Sequence, residues 1–272
     1  MRLNKKLDVL QQCISDIRLW MKCNELKLND DKTELMVFSK KQHLAEYQQI
    51  SISIGCACVT ASEQARNLGV VLESMMTLDK HVSDTCSKTY VQLRNIGRIR
   101  RYLDMEATKT LVHALVISRL DYGNALLHGL PNSTINRLQR VQNVAARMIT
   151  RTKRRDHITP VLCNLHWLPI ERRVQYKVSL FVFRALNNLA SRYISDMLER
   201  YVPPRVLRSK DLILLKVPPY KLKGYGLRSF SVSAPRLWNA LPYDVRKITV
   251  LPEFKSKPIP YLFATEFGHI NE

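Results

Sequence analysis

A run of arginines without a neighbouring acid is the feature of this sequence that most directly suggests chemistry. The members of the run are Arg137, Arg140, Arg147, Arg151 and Arg154. At about 100° per helical residue, the first three fall within roughly 80° of one another, and the last two continue the line if the helix does. No Asp or Glu lies between Asp121 and Asp156. A positive edge of this kind is typical of side chains that follow a phosphate backbone, so these five are the candidate nucleic-acid-binding residues.

A solvated helix face is the other interpretation of the same run, because many charged faces have no partner. The sequence alone leaves both interpretations open.

One amphipathic helix would position the arginines. The segment GLPNST at 129–134 has turn composition, and Ser133 or Thr134 is the expected N-cap of a helix from residue 135 to about 150. The apolar positions of this helix fall in an arc of roughly 140°. They are Ile135, Leu138, Val141, Ala145, Met148 and Ile149.

Composition favours a packed, strongly basic protein. The 272 residues are 46% hydrophobic and carry a formal net charge of +20. Residues 1–75 are close to neutral, with 10 basic and 9 acidic side chains, so the excess charge lies after them. A surplus of this size predicts an anionic partner, RNA or DNA, with the oligomeric state left open.

A membrane is not the expected partner. The longest apolar runs are far shorter than the roughly 20 residues of a spanning helix, and the first residues have no apolar signal region. We therefore expect an intracellular protein, in the nucleus or in the cytoplasm.

The cysteines predict neither a disulfide framework nor a metal site. They are Cys13, Cys23, Cys56, Cys58, Cys86 and Cys163. Only Cys56 and Cys58 are close in sequence, and the histidines are scattered, so a zinc site lacks a second ligand pair. Reduced and mostly buried thiols are expected, and no cofactor.

The chain divides into three regions by pattern. In residues 1–75, a helix over 3–22 precedes a β-hairpin with strands at 25–28 and 33–39. Two further strands, at 50–54 and 68–72, flank a polar loop. Residues 78–155 are helical, with one helix at about 105–118. Residues 156–272 begin with a helix at about 172–187 and become proline-rich after Val202, where we expect no long regular elements. The fold class is therefore α+β.

Short motifs in a fixed order give the clearest indication of origin. They are NELKLN (24–29), DKTELMVF (31–38), LGV (68–70), SRLDYGN (118–124), GLP (129–131), LQRVQN (138–143), HITP (157–160), LHWLP (165–169) and APRLWNALP (234–242). This series resembles the part of non-LTR retrotransposon reverse transcriptases, of the LINE, Jockey and chicken-repeat kind, that follows the catalytic centre.

The resemblance implies a division of labour among the three regions. Residues 1–75 correspond to the end of the palm, 78–155 to the thumb and 156–272 to a basic C-terminal region. The thumb arginines would then contact the backbone of a template–primer duplex. The parent enzyme is an RNA-directed DNA polymerase that uses Mg²⁺, held by an upstream strand and a Tyr-x-Asp-Asp hairpin, and this chain contains neither.

Asp30 and Asp31 are the nearest substitute for the missing aspartates, but they follow Leu28 and Asn29 in turn composition. We therefore interpret them as a turn and expect no catalytic residue and no metal in this chain. Because Met1 falls shortly after the expected catalytic hairpin, the sequence has the pattern of a truncated polymerase, or of a reading frame begun at an internal methionine.

The second hypothesis is a protein-interaction module or a non-functional relic of a mobile element that has kept its parent's charge. Strands cut from a larger sheet would leave an unpaired edge, so a relic would aggregate and an adapted module would melt cooperatively as a monomer. An unrelated enzyme is a third hypothesis, without any recognisable catalytic constellation.

Two weaker sets of binding candidates lie downstream. The first set consists of aromatic side chains that could stack on bases: Trp167, Tyr225, Phe230 and Trp238. For these residues, anchoring in the core or in a loop is the stronger interpretation. Basic side chains that could extend the arginine line are Arg172, Arg173, Lys177 and Arg184.

Overall fold

The computed structural model describes residues 2–39, 41–47, 49–55, 57–203 and 212–268. The chain forms two compact units, Met1–His81 and Val82–Glu272. The first combines one long helix with short strands and the second is almost entirely helical, so the α+β class is confirmed.

The first unit contains two small sheets. Its helices are α1 (Arg2–Cys23) and α2 (Leu44–Tyr47), and its strands are β1 (Leu35–Met36), β2 (Ser51–Ile54), β3 (Ala57–Ser62), β4 (Gln64–Asn67) and β5 (Val70–Glu73). Strand β3 is central in the first sheet, parallel to β1 and antiparallel to β2. Strands β4 and β5 form an antiparallel pair.

Helix α1 covers the first sheet with only part of its apolar stripe. Leu7 and Ile14 pack against the buried cluster that Leu35, Ile52 and Ile54 form. Further along the helix, Trp20 is 61% exposed. The predicted helix is confirmed, but only some of its apolar side chains pack against the core.

The predicted hairpin at 25–28 and 33–39 is wrong. Residues 25–28 form no strand, and β1 pairs with β3, some 26 residues later in the chain. The cause is local: Asn29 accepts the backbone N–H of Lys32, which closes a 3₁₀ turn over Asp30–Lys32 in place of a tight hairpin turn. The interpretation of Asp30 and Asp31 as a turn is confirmed.

The polar loop predicted between the two later strands is also wrong. It contains β3 and β4, which supply the centre of one sheet and half of the other. These strands carry Thr60, Gln64 and Asn67 at exposed positions, and β4 has no alternation of apolar and polar residues.

The second unit is a set of packed helices. The longer ones are α3 (Asp79–Ile99), α4 (Met105–Val112), α6 (Asn132–Thr150), α7 (Ile158–Asn164), α8 (Ile170–Leu186), α11 (Phe230–Ala240), α13 (Leu251–Ser256) and α14 (Pro258–Phe267). The single-turn helices are α5 (Ser118–Asp121), α9 (Arg192–Ser195), α10 (Lys223–Gly226) and α12 (Tyr243–Arg246). A π-helical stretch, His113–Ile117, joins α4 to α5.

The helices predicted at 105–118, 135–150 and 172–187 are confirmed within a few residues. The predicted N-cap of α6 is wrong, because the helix begins at Asn132 and its N-cap is Pro131. Ser133 and Thr134 lie inside the first turn. Pro131 has a ψ of 144°, outside the helical range, and its carbonyl accepts the first N–H groups bonded in the helix, those of Thr134 and Ile135.

The proline-rich C-terminal region is more regular than predicted. Helix α11 is 11 residues long and contains Pro235, and α13 and α14 begin with Pro252 and Pro258 in their first two positions. Proline at a helix start removes no hydrogen bond, because the first N–H groups of a helix have no partner within it. The expectation of no long regular elements is therefore wrong for residues 230–267.

Stacked aromatic rings join this C-terminal region to α8. The ring centroids of Phe183 and Phe254 lie 4.3 Å apart, and those of Trp238 and Phe254 lie 5.8 Å apart. The indole of Trp238 also donates a hydrogen bond of 2.9 Å to the carbonyl of Ile213. Helices on both sides of residue 200 thus share one core.

Two observations concern cysteines and membranes. The described cysteines are free thiols, and Cys13, Cys23 and Cys58 are exposed, so the prediction of mostly buried thiols is wrong for them. Cys56 and Pro204 lie outside the described residues.

No helix in the described ranges has the length and apolar content that crossing a bilayer requires.

We expect the stability of the second unit to fall with acidification through His128. Burial holds the pKa of His128 below its usual 6.5; nearby Glu171 opposes this effect and Arg228 reinforces it. The unfolded chain therefore binds this proton at a higher pH than the folded chain does. The His128 contribution to stability is complete above the unfolded pKa and is lost as the pH falls towards the folded pKa.

The measurement is denaturant unfolding of the wild type and of His128→Gln between pH 5 and pH 8. Between pH 7 and pH 5 the variant should lose less stability than the wild type. An equal loss in both proteins would contradict the prediction.

Candidate nucleic-acid interface

Helix α6 lies at the centre of the candidate interface. Its apolar positions Leu138, Val141, Ala145 and Ile149 are buried, as predicted, where the helix contacts α4, α7 and α8. With this face fixed by packing, the polar face of α6 has one possible orientation.

Four of the five predicted arginines line one open groove of about 750 Å³. The groove is lined by Tyr90, Gly97, Arg100, Arg140, Asn143, Val144, Arg147, Met148, Arg151, Thr152 and Arg154. No carboxylate is among these lining residues. We call this feature the arginine groove.

Three of the arginines in the groove have no partner among the described residues. Arg140, Arg151 and Arg154 are exposed, and they form no hydrogen bond or ion pair within the described part of the chain. Several positive charges along a concave surface reinforce one another's potential and attract anions. This arrangement can hold phosphate groups.

Arg147 links the groove to the loop that follows α6. Its guanidinium donates a hydrogen bond of 3.0 Å to the carbonyl oxygen of Asp156, while its Nε is buried without a partner. The carboxylate of Asp156 accepts the backbone N–H of Lys153 at 3.0 Å. The loop therefore folds back on the helix, which holds Arg154 beside the groove.

Arg151 and Arg154 do not extend the helical line of arginines. Helix α6 ends at Thr150, and Arg151 adopts the left-handed conformation, with φ 57° and ψ 22°. The chain turns at this residue, and the turn returns both arginines to the groove.

Arg137 lies outside the lining of the groove. It is half-buried and donates a hydrogen bond to the hydroxyl of Ser83 on α3. It also faces Cys86, where burial raises the pKa of the thiol and Arg137 opposes that effect. The role predicted for Arg137 in binding stays a prediction.

Arg100 is a structural residue of the groove that sequence reasoning did not single out. Its Nε and Nη2 donate to the carbonyl oxygens of Met148 and Ile149, at 2.8 and 2.9 Å. Its Nη1 donates to the carbonyl of Leu103 at 2.7 Å. Two of the last carbonyls of α6, which have no partner within the helix, are thus satisfied.

No local pattern in the sequence points to this role of Arg100. It lies in a basic cluster, 98–101, whose members look alike, and its partners are 48 and 49 residues away. Tyr90 and Gly97 also line the groove, from α3, and no local pattern in the sequence connects them to α6.

The downstream basic residues do not continue the groove. Arg172 forms an ion pair with Glu266, and Arg173 with Asp121. The Nε of Arg184 is buried. Lys177 lies in a separate small cavity.

The candidate stacking aromatics are mostly part of the core. Trp167 and Trp238 are buried and Phe230 packs against the same cluster as Trp238, whereas Tyr225 is exposed. For the two tryptophans, anchoring in the core is confirmed.

Asp30 and Asp31 do not form the two-cation site of a polymerase. The carboxylate of Asp30 is paired with Arg18, and Asp31 stands in an exposed turn. Within the described ranges, no three potential metal ligands cluster together. We therefore assign no step to a metal.

Comparison with known proteins supports a polymerase relationship. The chain is 26% identical over 206 residues to a probable RNA-directed DNA polymerase from transposon BS of Drosophila melanogaster. The matched region covers 73% of this chain and 22% of the relative. The chain thus spans about a fifth of the length of that relative. No family model and no solved structure matches the chain. The protein is therefore related to a transposon reverse transcriptase.

We expect Arg100 to contribute to the stability of the protein and Arg140 to contribute almost nothing to it. Arg100→Met removes three charged hydrogen bonds and leaves two helix carbonyls unsatisfied, so it should lower the free energy of unfolding by about 1.5–3 kcal/mol. Arg140→Met makes the same change of charge at an exposed site and should stay within about 0.5 kcal/mol of the wild type. Denaturant unfolding of both variants measures the difference, and equal losses would show that Arg100 has no structural role.

Replacing Arg151 should raise the stability of the protein and weaken its binding to nucleic acid. A non-glycine residue in the left-handed conformation costs about 1–2 kcal/mol, and glycine is the usual residue at this place after a helix. After the entropy that glycine loses on folding, Arg151→Gly should stabilise the protein by about 0.5 kcal/mol. It should also weaken binding to nucleic acid, because a free cation leaves the groove. Thermal melting and a binding titration of the same sample test both effects; destabilisation would contradict the role of the conformation.

Proposed function

We propose that this chain is the C-terminal part of a non-LTR retrotransposon reverse transcriptase and that it holds the backbone of a template–primer duplex. The observation that carries the proposal is the convergence of Arg140, Arg147, Arg151 and Arg154 in one groove without a carboxylate.

The sequence similarity supports the polymerase origin of the chain. The ordered motifs favour the non-LTR type and the region after the catalytic centre. In this proposal residues 78–155 act as a thumb, the protein works inside the cell, and polymerisation depends on aspartates that this chain does not supply.

Backbone binding follows from the chemistry of the groove. Guanidinium groups bind phosphate through charge-assisted and often bidentate hydrogen bonds. Contacts of this kind fix the position of a duplex but do not read its sequence. The groove is therefore proposed to bind RNA–DNA hybrid in any sequence.

The salt dependence of binding tests the proposal. Each phosphate that is neutralised contributes roughly −0.9 to the slope of log K against log salt concentration. Four engaged arginines account for a slope of roughly −3.6. A variant with Arg→Gln at positions 140, 147, 151 and 154 should lose that part of the slope when an RNA–DNA hybrid is titrated at several salt concentrations.

A control variant removes the same charge elsewhere. It carries Gln at four exposed basic positions outside the groove, Arg192, Lys221, Arg236 and Lys257. Its slope should stay close to that of the wild type. If the groove variant and the control give equal slopes, the groove does not bind the duplex, and an interaction module or a relic of the element becomes the better account of the chain.

A further inference from the structure

A second cavity of the Val82–Glu272 unit, of about 210 Å³, is distinct from the arginine groove. Its lining includes Asp121, Asn124, Leu168, Arg173, Lys177 and Ile259. The first two belong to the motif SRLDYGN, which the proposed backbone contacts leave without a role. We call this feature the Asn124 cavity.

The hydrogen bonds of Asp121 fix the orientation of the Asn124 amide. One carboxylate oxygen of Asp121 accepts from the Nε of Arg173 at 2.9 Å and from the Nδ2 of Asn124 at 3.3 Å. The other oxygen accepts from the Nη2 of Arg173. The amide nitrogen of Asn124 is therefore the atom turned towards the carboxylate.

The amide oxygen of Asn124 is left without a partner in the part of the chain that the structure describes. Asn124 is 4% exposed, and its Oδ1 is buried with no hydrogen bond to any described residue. Buried acceptors almost always have a donor, and each exception needs an explanation. A ligand that supplies an N–H group to this oxygen is such an explanation.

Lys177 gives the Asn124 cavity a positive charge. It is half-buried, and it makes no hydrogen bond or ion pair with the described residues. Asp121 and Arg173 neutralise each other. The ammonium group of Lys177 is therefore the uncompensated charge among the charged residues that line the cavity. An anionic group on the ligand would complete it.

The rest of the lining consists of Leu168, Ile259, Tyr176 and His166, and the space is small. Leu168 is buried, and Ile259 is exposed at the rim. The hydroxyl of Tyr176 donates a hydrogen bond of 3.1 Å to the carbonyl of Lys255. The part of Tyr176 that is available to a ligand in the cavity is therefore its ring. The volume is below the roughly 300–1,000 Å³ of sites for drug-sized molecules, and so it suits a single ring system.

We propose that the Asn124 cavity binds one unpaired nucleotide. An N–H group of the base donates to the Oδ1 of Asn124, the ring lies against Tyr176 and Leu168, and the phosphate meets Lys177. Every base carries an N–H donor on its pairing edge, so this contact accepts any of them. Single-stranded nucleotides are commonly bound in this way, by a base held on side chains and a phosphate held by a cation.

An acidic peptide could supply the same donor and anion. The preference for a nucleotide rests on the proposed nucleic-acid function, and on the planar ring of Tyr176 in the lining. The experiment therefore includes a peptide and the groove variant, so that the two proposals can fail separately.

The test is calorimetric titration of the full chain with 5′-AMP, 5′-CMP, adenosine and ribose 5-phosphate. Both nucleotides should bind, and the two incomplete probes should bind at least about 10-fold more weakly, because each lacks one contact. Lys177→Met should weaken AMP about 10-fold and leave adenosine unchanged. Ile259→Trp, which fills the cavity from its exposed rim, should abolish binding of AMP.

The variant with four Arg→Gln changes in the arginine groove should bind AMP as the wild type does. That result with no loss of salt slope would reject the groove and keep the Asn124 cavity. Thermal melting shows that each variant is folded.

Three results would overturn the proposal. Ribose 5-phosphate that binds as tightly as AMP would mean a phosphate site without a base. An N-acetylated Asp-Glu peptide that binds more tightly than AMP would mean a peptide site. No binding of AMP to the wild type would mean that the cavity holds water alone.

Discussion

The end of α6, where Arg100 holds the carbonyls of Met148 and Ile149, is the constraint on which the arginine groove depends. Without a partner for those carbonyls, the last turn of the helix would be open to water and would fray. The guanidinium fixes the end of the helix at Thr150. Arg151 can then turn into the groove from a defined position, and the loop that Asp156 closes carries Arg154 to the same side.

Several like charges lie close together in the groove, and three features reduce the free-energy cost of bringing them there. The carbonyl end of α6 carries partial negative charge, which favours cations such as Arg147 and Arg151 nearby. Arg100 donates its hydrogen bonds to backbone oxygens, so its charge is partly compensated within the protein. The exposed arginines are hydrated and screened by salt. They are therefore tolerated in the free protein and remain available to a phosphate.

The core of the second unit explains how so basic a chain folds. Of the described charged side chains in this unit, Arg246 alone is buried, and its guanidinium donates to a backbone carbonyl. The rest of the interior is built from apolar helix faces and the stacked rings of Phe183, Trp238 and Phe254. The rings bind the C-terminal helices to α8, which is why prolines that break long elements in the sequence did not prevent a packed region. In the first unit, by contrast, Trp20 and other apolar side chains of α1 remain exposed.

The sequence by itself determined the class, the main helices and the apolar face of α6, because a period of 3.6 residues is a local property of the chain. It also determined which arginines could act together, since no acid interrupts them. The tertiary structure decided that Arg137 is held by Ser83, that Arg100 caps a helix 48 residues away, and that β1 pairs with β3. It alone left the amide oxygen of Asn124 without a donor. These outcomes depend on partners distant in sequence, and hydrogen bonding between distant residues leaves no periodic signal to read.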